Sequence, residues 1–261
     1  MNTTIRQATE AGGSAGAPLV APQVVLVPLL NMGLAEDMLG LAAHLTRDLG
    51  AAGVDPGSVQ SRIVVLSVVE VPPDQPLTMG LDLARSYRAL LDFLPSQVEF
   101  RAADSQDVRY VRVDRVVKVA RDISEAIRQA AQEERAELLL LYWKGHAREA
   151  KHHQYGRIVD SVLANPPCSV MLTRVEGWSR SRRVLLSVRG GPSAEQALGM
   201  SVALAERLNI PVTVLHNVPR SGTVPNLERS TLPISQVEAL GEEPYLVFNE
   251  QLRRMQESTT V

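Results

Sequence analysis

The sequence predicts an open, doubly wound α/β fold, with five parallel strands and helices on both faces of the sheet. Three observations predict it. Short runs rich in Val, Leu and Ile alternate with segments whose apolar residues recur at helical spacing, the signature of βαβ units. Most of these runs are apolar without alternation and read as buried strands. Apolar residues make up 45% of the chain and aromatics only 4%, so the core is built from Val, Leu, Ile and Ala.

The elements follow in order. Residues 1–22, rich in Ala, Gly, Thr and Ser, read as a flexible tail. QVVLVPL (Gln23–Leu29) is a first buried strand. Leu34, Met38, Leu41, Ala42, Leu45 and Leu49 then give a helix, with Glu36 and Asp37 in the first turn where the dipole favours negative charge. RIVVLSVVEV (Arg62–Val71) is a second strand, followed by a proline loop and a helical pattern from Met79 to Phe93. VRYVRVDRVV (Val108–Val117) alternates, which suits a strand near the sheet edge. Asp122 with Glu125 has capping-box spacing and opens a helix. ELLLLYW is the fourth strand. A helix from Gly156 to Ala164 is stopped by Asn165-Pro166-Pro167, and CSVMLTR is the fifth strand. The expected strand order is 3-2-1-4-5, with ligands bound beyond the carboxyl ends of the strands.

After a basic turn at 177–183 the pattern restarts. RRVLLSV echoes the first strand, a helix follows with Ser193 as its cap, and PVTVLHNV echoes the second strand. The period is about 155 residues. The copy then breaks off, so the domains read as 23–176 and an incomplete second copy over 180–261.

Composition narrows the function. The net charge of −2 is interspersed and gives no nucleic-acid footprint. The single cysteine, Cys168, allows no internal disulfide and fits a cytoplasmic location. The uncharged stretch Pro18–Ala35 holds three prolines, which argues against a membrane span. His146, His152 and His153 lack a second spaced pair of ligands, so no metal site is expected.

The order strand-Pro, helix, SVVEVP, DISEAIRQAAQEERAELLLL, glycine loop and GRIVDSVLANPPCSVMLTR resembles the universal stress protein family, over Gln23–Arg174 and again in part over Arg182–Pro219. The resemblance implies a Rossmann-like fold. VPLLN after the first strand and YWKG after the fourth look most like the modules attached to bacterial amino-acid permeases and antiporters.

Nucleotide-binding members of that family carry an Asp after the first strand and G-x2-G-x9-G-[ST] after the fourth. Here Leu30 stands at the Asp, Tyr142 at the first glycine and Arg157 at the hydroxyl position; Gly145 and Gly156 remain, the latter one residue late. Glycine lets backbone amides approach a phosphate, and Leu30 accepts no hydrogen bond. The resemblance therefore implies a degenerate site. A weak anion or nucleotide contact would rest on Asn31, Lys144, Gly145, Gly156 and Arg157, and the ligand would be ATP, AMP or a small anion. The expected function is a non-enzymatic regulatory module, pairing with a copy of itself or with a membrane transporter. The alternative is an ATP-binding stress protein with slow ATPase activity. Neither Glu149 nor Asp160 sits where catalysis would demand a base, which favours the module.

Overall fold

The computed structural model describes residues 4–6, 22–46, 61–101, 108–144, 154–175, 177–188 and 192–216. At its centre lies β2 (Val24–Pro28), every residue of which is buried. Val25 and Val27 enter one apolar cluster and Val24 and Leu26 the other, so the strand is covered on both faces. Parallel strands of this kind are uniformly apolar because helices pack on either side.

β3 (Arg62–Glu70) and β6 (Leu138–Tyr142) flank β2 in parallel. β5 (Val108–Ala120) continues beyond β3, and β7 (Ser169–Thr173) beyond β6. These five parallel strands take the expected order 3-2-1-4-5. Two antiparallel strands extend it to seven. β4 (Gln97–Arg101) pairs with β5, and β1 (Thr4–Arg6) pairs with β7 through Thr4↔Leu172. Val108–Val117 lies near the edge as expected, one strand in from it, because β4 folds back against it. One expectation is corrected here. Thr4–Arg6, within the stretch read as a tail, is a strand. Both additions are short and polar at intervals, as exposed edges are, and leave no apolar run to read.

One face of the sheet carries α1 (Ala35–Leu45) and α2 (Leu81–Asp92); the other carries α3 (Ile123–Glu133) and α4 (Arg157–Ala164). The Asp122 carboxylate accepts the Glu125 amide at 2.9 Å, confirming the cap. A 3-10 turn over Leu77–Gly80 leads into α2.

β8 (Val184–Val188) and β9 (Val212–His216) form a separate parallel pair, with α5 (Pro192–Leu208) as their crossover. PVTVLHNV thus stays out of the first sheet. The helix begins at Pro192, so Ser193 is its second residue rather than its cap; proline suits that first position because its missing N–H has no intrahelical partner there. Residues 217–261, more than half of the expected second copy, lie outside the described residues. α5 also joins the main core. Leu204 is buried there, and Arg207 donates to the backbone carbonyls of Ala43 and His44 at the end of α1.

Beside that contact, His44 Nδ1 donates to the Gly40 carbonyl at 2.8 Å, and the His44 ring meets Trp178 edge-on at 5.2 Å. Burial pushes the His44 imidazole below its ordinary value, and the Arg207 charge adds to this. The neutral ring therefore belongs to the folded state. Its contribution is complete above the unfolded value of about 6.5 and is lost as pH falls through the lower folded value. Urea unfolding is expected to give lower stability at acid than at neutral pH, with His44→Gln removing part of that slope.

Gly80 is closely surrounded. A Cβ there would lie 2.6 Å from a Val119 methyl and 2.7 Å from a Val71 methyl. Overpacking of this kind costs about 1–3 kcal/mol. Gly80→Ala is expected to lower the unfolding free energy by that amount in a urea titration.

Candidate functional site

The strand order reverses between β2 and β6, and the candidate site lies at their carboxyl ends. β2 ends at Pro28, and the chain turns through Leu29, Leu30 and Asn31. The Asn31 side-chain oxygen accepts the Gly33 amide at 3.0 Å and caps the 3-10 turn that leads into α1. Its acceptor is thus engaged in local structure. Leu30 is 57% exposed at the rim.

β6 ends at Tyr142, followed by half-buried Trp143 and exposed Lys144. Gly145 and the basic residues His146, Arg148, Lys151, His152 and His153 lie outside the described residues. The chain is described again from Gln154. Tyr155 meets Trp143 edge-on at 5.4 Å, and its amide donates to the Asp160 carboxylate at 3.0 Å.

Gly156 caps α4 with φ +104° and ψ 153°. That region is essentially closed to residues with a Cβ. Open space surrounds the missing Cβ, so the requirement lies in the backbone and not in packing. Arg157, the first residue of α4, directs its guanidinium to Glu70 at the end of β3, 3.3 Å away. The pair is largely exposed and worth little in stability. Its effect is to place a carboxylate where a phosphate oxygen would have to lie against Arg157.

Between these elements is a crevice with a cavity volume of about 50 Å³. Leu29, Leu30, Met38, Ile127, Leu141 and Val159 supply most of its wall, and Asn31 and Tyr142 are its polar members. Among the described residues no carboxylate, histidine, lysine or cysteine lines it. One water needs about 10–15 Å³ on this kind of measure, so the crevice has room for a few waters. A nucleoside would have to displace side chains.

The structure thus brings Asn31 and Tyr142 to one crevice and sets Gly156 and Arg157 at the helix beside it. Glu70 was missed in the sequence reading; Asp160 was weighed there only as a base, and the hydrogen bond it accepts from the Tyr155 amide was not foreseen. Glu70 ends a long buried strand on the ligand-binding edge of the sheet, a position that marks it as a candidate without any motif. The Asp122 carboxyl is held below its ordinary range chiefly by the Glu125 amide it caps, and further by the Arg157 charge. Cys168 is half-buried just before β7, and burial pushes its thiol up to about 12, the behaviour of a core residue and not of a nucleophile. Among the described residues no group of three or more His, Cys, Asp and Glu could hold a metal ion, and no helix is long and apolar enough to cross a membrane.

Residues 23–174 match the profile of the universal stress protein family. Solved structures similar to the chain include one from Pseudomonas aeruginosa UCBPP-PA14 described as a universal stress protein. It is 16% identical, has a TM-score of 0.49, and is matched over 94% of this chain and 73% of that one. Another, a functionally unknown protein from Pseudomonas aeruginosa PAO1, is also 16% identical, with a TM-score of 0.47 over 93% of this chain and 72% of that one. No curated protein matches the chain.

The backbone at Gly156 yields a direct expectation. Gly156→Ala should destabilise the fold by about 1–3 kcal/mol in chemical denaturation, although the added methyl meets nothing.

Proposed function

The chain belongs to the universal stress protein family, and on that premise we propose that it is a non-catalytic cytoplasmic regulatory module whose nucleotide site is degenerate. The observation that carries this reading is the crevice at the strand-order reversal. It is small and apolar, its rim has Leu30 where family members place an Asp, and the neighbouring Arg157 is paired with Glu70. A hydrogen bond to a charged group is worth about 1.5–3 kcal/mol, so the Asp-to-Leu exchange alone costs roughly ten-fold or more in affinity. Among the described residues the lining holds no general base, which supports the module over a slow ATPase. What the site retains suits a small anion better than a nucleotide. The α4 amino terminus and Lys144 attract negative charge, while Glu70 and Asp160 oppose a larger one.

The regulated partner in this reading is a membrane transporter. The support is the likeness of VPLLN and YWKG to the modules attached to amino-acid permeases and antiporters. Isothermal calorimetry of the full chain with ATP and with inorganic phosphate tests the site. ATP is expected to bind no tighter than about 1 mM, equivalent to roughly −4 kcal/mol. Micromolar ATP binding that is lost in Gly156→Trp would show a working nucleotide site and overturn the reading.

A further inference from the structure

We propose that α2 carries a self-association surface, on which a second copy of this chain docks with its own α2 antiparallel, about a twofold axis at Ser86. The helix is poorly buried for an element of a doubly wound fold. Of its twelve residues only Leu91 is fully buried. Its inner line runs through Gly80, Ala84, Tyr87, Leu91 and Leu94 toward the sheet. At 3.6 residues per turn, a second apolar line lies about a quarter-turn away. It consists of Leu83 and Leu90 on the helix, extended by Met79 in the 3-10 turn before it and Phe93 just after it; Met79, Leu83, Leu90 and Phe93 are exposed by 64%, 50%, 44% and 86%.

Area, charge and spacing together identify the occupant. Phe93 alone presents on the order of 200 Å², and with the half-exposed Met79, Leu83 and Leu90 the stripe reaches roughly 400–500 Å². A standard interface buries about 800 Å² per partner, of which about 56–65% is apolar, so the stripe is the size that one such interface needs. The stripe's polar neighbours cancel. Asp82 pairs with Arg85 at 2.5 Å, and Arg88 lies 3.8 Å from Asp92. A basic excess, which would favour an acidic lipid surface, is missing from this helix. So is a net charge that would repel a second copy.

A twofold contact requires one patch to complement itself. This stripe does so. Met79 precedes Ser86 by seven residues and Phe93 follows it by seven; Leu83 and Leu90 stand three before and four after. In an antiparallel pair, Met79 of one copy meets Phe93 of the other and Leu83 meets Leu90. Ser86 is small and lets the helix axes approach at the centre. Arg88 donates to the Arg115 carbonyl at 2.8 Å and fixes the helix on the sheet with the stripe outward.

Sedimentation velocity on the full chain tests this. The native chain is expected to be dimeric, and Leu83→Asp with Leu90→Asp to weaken dimerisation at least about a hundred-fold, with circular dichroism unchanged. In a Cys168→Ser background, Ser86→Cys is expected to give a covalent dimer on mild oxidation, while Glu125→Cys on the opposite face does not. The cross-link reads the axis directly even where the charged double variant fails to fold. A native chain that remains monomeric overturns the proposal, as does a dimer indifferent to the charged pair, a Ser86→Cys variant that does not cross-link, or a monomer that instead binds lipid vesicles through α2.

Discussion

Burial of β2 on both faces is the constraint from which the architecture follows. A five-residue strand with no exposed position must have a paired strand on each edge and helices above and below. β3 and β6 supply the edges; α1 covers one face and α3 with α4 the other. Once those neighbours are fixed, the ends of β2 and β6 must diverge into loops on opposite sides of the sheet. The crevice between them is a product of strand order and would exist whatever residues lined it. Fold and location of the site are therefore one fact, whereas its chemistry is a separate one, set by a few side chains.

That division explains what could be read from the sequence. The five parallel strands were legible because continuous apolar runs have one physical use in a chain of this size. The cap at Asp122 was legible because its partner is three residues away. β1 and β4 were not, since edge strands are short and carry charge, and pairing such as Thr4 with Leu172 leaves no local trace. The site was legible in its departures from the family pattern, Leu30 and Tyr142 among them. The pairing of Arg157 with Glu70 was not, because 87 residues separate the two in the chain. Asn31 lines the crevice, but its capping of Gly33 depends on a turn geometry that sequence alone does not specify.

The small β8-α5-β9 unit and the main sheet are unequal partners in the packing. α5 belongs to the small sheet through Ala194 and Leu198 and to the main core through Leu204. Trp178, in the connection, lies over Gly40 of α1, where a Cβ would come within 3.0 Å of its ring. The β8-α5-β9 unit is thus an appendage that shares the main domain's core, and removing it would uncover α1.

The shallow seat of α2 has a consequence for how the molecule opens. A helix with a single fully buried residue loses little when it lifts from the sheet, so its amide protons exchange with solvent through a local excursion. Those of β2 and β3 are released only when the whole core comes apart. The chain thus holds two tiers of stability within one fold, and the lower tier is the one that faces outward. Any partner seated on α2 would raise that tier toward the upper one, turning a transient local motion into a measure of how much of the protein is engaged.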